Sequence, residues 1–237
     1  MRITGAVLEE IGRPRPYRRS TPLGVGTLDL EPPGPGEVLV EIECAGVCHS
    51  DLSVVDGNRV RPVPMLLGHE AAGRIVELGD GVAGPTVGQR VVTTFLPRCG
   101  DCEGCASDGI RPCLPGSAAN AAGTLLAGGR RLHRAGSEVH HHLGVSAFAT
   151  HAVLDARSLV PVEDDVPAEV AALMGCAVLT GGGAVVNAAR PAAGETLAVV
   201  GLGGVGMAAV LVALAHEDVT VVAVDTSRDK RDTARSL

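Results

Sequence analysis

Residues 196–225 read TLAVVGLGGVGMAAVLVALAHEDVTVVAVD, and no other stretch of this chain limits its fold as tightly. An apolar run meets a glycine-rich turn from Gly201 to Gly206, an uncharged Ala- and Val-rich stretch of helical length follows, and a second β-branched run ends at Asp225. Strand, turn, helix and strand in that order predict a βαβ unit whose two strands lie parallel in one sheet. Gly201 and Gly203 permit a tight turn and close approach of a pyrophosphate, which the N–H groups at the start of the helix attract. Asp225 stands 19 residues after Gly206, close to the spacing at which a carboxylate takes the adenosine ribose hydroxyls. A lone GxGxxG is a weak signal. In this setting it predicts a dinucleotide site at Gly201, Gly203, Gly204, Val205, Gly206 and Asp225. The acid would repel the additional phosphate of NADP, so NAD is the expected cofactor, with Arg228 nearby acting against that preference.

The rest of the chain has another texture. From Glu37 to Gly88 short strand-like runs, EVLVEIECAGV, AAGRIVELGDGV and the start of GQRVVTTFL, are punctuated by Gly and Pro, and this part reads as all-β. From Ala168 Ala-rich helical stretches lead into the βαβ unit. The fold expected is α/β with a mainly β N-terminal domain, a domain boundary near residue 177, and an incomplete doubly wound domain over 178–237. Leu114 to Leu143, rich in Gly and Ala with scattered Arg and His, reads as a long surface loop.

Composition removes several functions. The chain has 237 residues, 46% of them hydrophobic, enough for a sizeable core. Only Tyr17, Phe95 and Phe148 are aromatic, so no platform exists for stacking nucleic-acid bases. With 20 basic and 27 acidic residues, evenly mixed and netting -7, the chain is expected to bind neither nucleic acid nor a membrane surface. The N-terminus lacks a signal pattern, and charges are expected to interrupt every apolar run before about 18 residues. A cytoplasmic protein is predicted. Disulfides are rare there and seven cysteines cannot all pair, which favours thiolate chemistry or metal ligation.

Four of the seven, Cys99, Cys102, Cys105 and Cys113, lie in RCGDCEGCASDGIRPC with C-x2-C-x2-C-x7-C spacing. Short spacings let successive thiolates turn toward one tetrahedral centre, and zinc accepts four thiolates as a closed structural site. Zinc is preferred over disulfides or an iron–sulfur cluster, and the lobe over residues 97–115 is expected to hold a loop in shape. A catalytic zinc keeps one position open and draws its ligands from distant segments. Cys48 in AGVCHSDL, His69 in LLGHEAAG and Cys176 in MGCAVLTG offer such a set, although each alone reads as a buried thiol or a core histidine. Cys44 reads as a small buried hydrophobe.

Taken together, GVCHSDL, GHEAAG, the four-cysteine lobe, GCAVLTG and GLGGVG followed by Asp225 make the chain resemble the zinc-containing medium-chain alcohol dehydrogenases over its whole length. The segment ending in HHHLGVSAF is most similar to the longer-chain branch of liver-type and thiol-dependent formaldehyde dehydrogenases. The resemblance implies a GroES-like catalytic domain over 1–177, the start of a Rossmann domain over 178–237, two zincs per chain (one catalytic, one structural) and NAD. It implies catalytic zinc on Cys48, His69 and Cys176, two cysteines and one histidine being the known set in alcohol dehydrogenase, with Asp51 and Glu70 orienting the ligands from behind. Ser50 would hydrogen-bond the alcohol and begin moving its proton away. His49 would meet the pyrophosphate, Thr180 the nicotinamide and Lys230 the adenosine ribose.

Phe95, His142 and Leu143 would line a partly polar substrate pocket, His140 to His142 otherwise reading as a solvated loop. Ser53 stands where liver-type members can carry a histidine of the proton relay, and Arg59 or Arg61 could meet the anionic groups of a glutathione-type substrate. The implied reaction is reversible oxidation of alcohols to aldehydes or ketones by hydride transfer. The alternatives are oxidation of a formaldehyde–thiol adduct, or a zinc-binding fragment without activity. The expected partner is a small alcohol or aldehyde. Full-length relatives oligomerise, and the state of this chain stays open. The chain stops in the helix after the second Rossmann strand, where a six-stranded domain would continue, so it reads as C-terminally truncated.

Overall fold

In a computed structural model describing Met1–Leu237, the chain divides between Leu173 and Met174 into two units, just before the position expected from the sequence. The first unit contains β1 (Arg2–Leu8), α1 (Tyr17–Ser20), β2 (Leu23–Leu30), β3 (Glu37–Ala45), α2 (His49–Val55), β4 (Met65–Leu66), β5 (Ala71–Leu78) and β6 (Arg90–Thr93). It continues with α3 (Leu114–Ala122), β7 (Leu132–Arg134), β8 (Ser137–His141), β9 (His151–Asp155), β10 (Leu159–Pro161) and α4 (Ala168–Leu173). Strands β1-β2-β7-β8-β4 close into a barrel, while β10-β6-β5-β3-β9 form an antiparallel sheet.

Strand β3 shows why its residues form this frame. Its run Val38, Leu39, Val40 is buried on both faces: Leu39 joins Ile3, Val7, Leu66 and Val139, whereas Val38 and Val40 join Ile75, Val91 and Leu154. A period of two therefore feeds two cores from one strand.

Two readings of the sequence need correction here. The stretch Leu114 to Leu143 is not a loop. Cys113 caps α3, Pro115 sits in its first turn, and Gly123 at φ 68° ends it, a start and stop in side-chain chemistry that Ala- and Gly-rich composition obscured. A hairpin follows, turning through Ala135 (φ 50°) and Gly136 (φ 81°) to pair β7 with β8. Nor do charges interrupt every apolar run. Ala168–Ala189 is helical with mean hydropathy 1.7, long and apolar enough to cross a membrane by length and composition alone, a test that core helices also pass. Its Ala171 and Ala172 are buried against Ala72 and Val92.

Strand β8 also buries a histidine that the sequence presented as solvated. His141, paired beside Leu66 of β4, is 1% exposed, and its Nε2 accepts the Arg131 N–H at 3.1 Å. Burial, aided by the charges of Arg130 and Arg131, pushes its pKa down to about 3. The unfolded chain, with an ordinary histidine near pH 6.5, takes up this proton first, so stability is level above that pH and falls below it. Between about pH 6.5 and 5 the loss should reach about 2 kcal/mol from this group. Urea titrations at both pH values check this, and the pH-dependent loss should shrink by that amount in His141→Gln.

The second unit contains a π-helical turn at Met174–Val178, α5 (Leu179–Gly183), a second π turn at Ala184–Ala189, β11 (Thr196–Val200), α6 (Gly204–Leu214), β12 (Thr220–Val224) and α7 (Arg228–Arg235). Strands β11 and β12 are parallel and level, from Thr196 beside Thr220 to Val200 beside Val224. Val199, Leu202, Val210 and Ala213 form its core with Val185.

Candidate functional site

The four-cysteine lobe is a preformed cup. Cys99, Cys102 and Cys105 lie between β6 and α3, and Cys113 is the N-cap of α3. The sulfurs of Cys99 and Cys105 are 3.8 Å apart, those of Cys102 and Cys113 3.9 Å, and all four lie within 4.8 Å of one another. A tetrahedron of zinc–sulfur bonds of about 2.3 Å has edges of about 3.8 Å, so the four thiols fit that ion. Backbone N–H groups point inward: Cys99 and Gly116 donate to Cys113 Sγ at 3.2 and 3.3 Å, Gly100 to Cys105 Sγ at 3.3 Å, and Leu114 to Cys102 Sγ at 3.4 Å. Such donors favour thiolates. The Leu114 and Cys105 N–H groups bring the Cys102 thiol down to about 6, while burial pushes Cys113 up. At Gly104 a Cβ would sit 1.9 Å from the Pro112 carbonyl oxygen, so the lobe closes only around glycine.

A second cluster forms at the start of α2. Cys48 is the N-cap, Ser50 N–H approaches its sulfur at 3.5 Å, and Asp51 reaches back to the Cys48 N–H at 3.2 Å. The other Asp51 oxygen lies 3.0 Å from His69 Nδ1 and accepts the Gly68 N–H at 3.3 Å. This contact fixes the His69 proton on Nδ1 and makes Nε2 its lone-pair atom. Cys48 and His69 present ligand atoms within 4.8 Å of each other. Asp51, His69 and Glu70 are all buried, at 4%, 1% and 2% exposure, so Asp51 and Glu70 are not surface charges. Burial works to raise the Asp51 pKa, but contacts with His142 and His69 outweigh it and hold the carboxyl below its ordinary value.

The aromatic rings gather at His69. Phe95 lies edge-on at 5.6 Å between centroids and His142 edge-on at 5.7 Å. His142 Nδ1 is also 3.3 Å from Asp51, close enough for electrostatic attraction but not aligned as a hydrogen bond. Leu143, at φ 54°, is buried next to it. Ser50 is half-buried on the first turn of α2, and His49 is exposed. The Ser53 hydroxyl donates to the His49 carbonyl at 3.0 Å and lies 3.4 Å from His49 Nδ1. The role of Asp51 had a local signal in the sequence: an acid three residues after a thiol N-cap is the reciprocal capping pattern. Its contact with His142 had none, because 91 positions separate them.

If Cys48 and His69 hold a metal ion, Asp51→Asn should loosen it. An amide oxygen can still accept from Cys48, but the charge that fixes the imidazole is gone, and loss of such support typically costs 10- to 100-fold in affinity. Zinc competition with a coloured chelator measures it. Unchanged affinity would mean that Asp51 serves only the cap of α2.

In the second unit, Cys176 is buried on the first π turn and Thr180 is exposed on α5. The glycine turn joins the end of β11 to α6, and Gly201 N–H bonds the Val224 carbonyl at 2.7 Å. Asp225 accepts from Leu202 N–H and Ser227 N–H, each at 2.8 Å, and Lys230 Nζ lies 3.7 Å away. Those two N–H groups hold its carboxyl below the usual range. Val200, Gly201, Val224, Asp225 and Thr226 line a cavity of about 280 Å³. Gly204, Val205 and Gly206 open α6 beside it.

Comparison with known proteins shows what the chain is similar to. Residues 34–164 match the family described as "Alcohol dehydrogenase GroES-like domain". A putative alcohol dehydrogenase D of Mycobacterium tuberculosis is 40% identical over 99% of this chain and 61% of its own length. The crystal structure of an alcohol dehydrogenase zinc-binding domain protein from Burkholderia ambifaria superposes with a TM-score of 0.91 at 31% identity, covering 100% of this chain and 62% of that one. Benzyl alcohol dehydrogenase from Acinetobacter calcoaceticus gives 0.85 at 31% identity, with the same coverage. The chain thus spans about three fifths of the length of these relatives. Since the matched family region covers more than half of its residues, this chain belongs to the alcohol dehydrogenases with a GroES-like domain.

Proposed function

We propose that this chain carries the zinc sites and the dinucleotide turn of an NAD-dependent alcohol dehydrogenase, which interconverts alcohols with aldehydes or ketones. The observation that carries this reading is the Asp51 carboxylate, which ties the backbone of Cys48 to the ring of His69 and so orients two soft ligands at one point. Cys48 and His69, with Cys176 as third ligand, would hold the catalytic zinc; Cys99, Cys102, Cys105 and Cys113 would hold the structural one. When bound, zinc and NAD supply a Lewis acid that acidifies the alcohol and an acceptor for its hydride.

The residues of the chain then have separate tasks. Ser50, two positions from Cys48, receives the proton that the alcohol releases, as a hydroxyl that both accepts and donates can do. Phe95, His142 and Leu143 shield the approach to His69 from water and shape the pocket. At the cofactor end, Gly203 to Gly206 offer backbone N–H groups to the pyrophosphate, helped by His49. Asp225, already oriented by two backbone N–H groups, accepts the ribose hydroxyls beside Lys230, and Thr180 approaches the nicotinamide.

The test is zinc content together with NADH formation from primary and secondary alcohols. Two zincs per chain are expected, one removed by mild chelation with loss of NADH formation and one retained. A protein with both zincs and bound NAD that oxidises none of a broad alcohol panel would overturn the reading.

A further inference from the structure

Residues 12–21, GRPRPYRRST, gather four arginines within seven positions of a chain whose net charge is -7, and no role described above uses them. Tyr17 and Thr21 of this segment line a cavity of about 350 Å³ in the first unit. Leu23, Leu52, Val55, Leu67 and Phe148 complete most of its wall. Val55 and Leu67 belong to the core group of Leu8, Val54 and Met65, while Tyr17, Leu23 and Phe148 pack against that group only partly buried. This part of the core therefore stops short of closing. The cavity is separate from the candidate metal cluster: Asp51 lies in its wall, whereas Cys48, Ser50, His69, Phe95 and His142 do not.

The wall makes few polar demands. One Asp51 oxygen is engaged by the Cys48 N–H, the other by the Gly68 N–H and His69. Two of the chain's three Tyr and Phe rings, Tyr17 and Phe148, lie in the wall. Flat apolar walls around a space near the lower end of the ~300–1,000 Å³ typical of small-ligand sites suit an alkyl chain.

The edge beside Tyr17 is cationic. The Arg15 guanidinium carbon lies 5.3 Å from the centroid of the Tyr17 ring, and Arg15 Nε donates to the Tyr17 hydroxyl at 3.4 Å. Arg13 Nη1 donates to the Ser20 and Thr21 carbonyls at 3.1 and 3.2 Å. Arg18 and Arg19 stand exposed on α1 with Tyr17. The two anchored guanidinium groups each share a carboxylate, Arg13 with Glu10 at 3.3 Å and Arg15 with Asp56 at 3.6 Å. Arg15 keeps 66% of its side chain exposed, so its loose pairing leaves N–H groups for one further anion of single charge.

We infer that this cavity binds a medium-chain fatty carboxylate, its alkyl chain between Tyr17, Leu52 and Phe148 and its carboxylate at Arg15. A guanidinium fork takes a carboxylate through two parallel hydrogen bonds, and the apolar wall takes the methylenes out of water. The inference stands apart from the alcohol dehydrogenase reading, because it uses neither the zinc ligands nor the glycine turn.

Tyr17 is the only tyrosine and the chain has no tryptophan, so intrinsic emission reports on this cavity. Decanoate, kept below its micelle concentration, should change that emission and saturate at a single site per chain, with calorimetry giving the same Kd. Octanoate should bind about 10-fold more weakly, because two methylenes are lost. Decyltrimethylammonium, of equal tail length and opposite charge, should bind at least about 10-fold more weakly than decanoate. These comparisons use the native protein and do not depend on a variant folding. Arg15→Gln should weaken decanoate about 10-fold while leaving the preference for the longer chain, and Arg15→Lys should restore part of the loss. Calorimetric binding without a change in tyrosine emission, an affinity indifferent to chain length, or equal binding of the ammonium amphiphile would each overturn the inference. So would decanoate binding that Cys48→Ser removes and Arg15→Gln leaves intact, which would place the carboxylate at the metal cluster. Sedimentation with phosphatidylserine vesicles in the absence of decanoate binding would make the patch a membrane contact and overturn it equally.

Discussion

Cys113→Ser is expected to strip one zinc from each chain and to release the lobe around it. The Cys113 sulfur is fully buried and accepts two backbone N–H groups while facing Cys102 at 3.9 Å. A serine oxygen sits closer to its own backbone and is a poor match for an ion that three thiolates already select. Structural zinc sites of this kind contribute about 10–16 kcal/mol of apparent binding, which is also folding energy. Part of it survives with three ligands, but several kcal/mol should go, lowering the melting temperature by about 10 °C at about 2–4 °C per kcal/mol. Metal analysis, thermal melting and limited proteolysis between Arg98 and Cys113 report the three effects separately. If zinc content and melting are unchanged, the four thiols do not share an ion.

Gly206→Ala should weaken NAD binding severely without changing the zinc content of the chain. A Cβ at this position would lie 1.8 Å from the Gly201 carbonyl oxygen, a backbone atom that cannot swing aside. Gly201 is itself tethered to β12 through Val224. One methyl group must therefore open the glycine turn or detach it from the strand pair, and either change removes N–H groups from the pyrophosphate position. Affinity for NADH is expected to fall by 100-fold or more, equal to about 2.7 kcal/mol. A fluorescence titration measures it, with zinc content as the control for intact folding elsewhere. Retention of native affinity would mean that the cofactor does not use this turn.

The sequence was most legible where a site is built from neighbours along the chain. The four thiols lie within one short segment and the glycine turn within another, so spacing and flanking apolar runs carried most of the information. It was least legible where distant pairing decides. His141 and His142 looked like part of a polar tract, yet the first is buried because β8 runs parallel to β4, which is only two residues long. No periodicity could announce so short a partner. Residues 114–143 were misread for a local reason: alanine and glycine serve helices and loops alike, and the hairpin turn uses Ala135 at positive φ where Asn or Asp would have advertised it. Asp51 lay between these extremes, since its capping contact is local and its contacts with His69 and His142 are not.

Strands β11 and β12 end level, Val200 beside Val224, so the glycine turn and Asp225 leave the sheet at the same height. Leu202 can reach the Asp225 carboxylate only from that alignment. A slip of one residue would carry Asp225 along the strand by about 3.3 Å and turn its side chain to the opposite face. If Asp225 takes the cofactor's ribose as proposed, cofactor affinity becomes a gauge of strand alignment in this unit. A variant could keep its circular dichroism and its helices while losing that alignment, and a titration with NAD would detect the fault that spectroscopy of the backbone passes over.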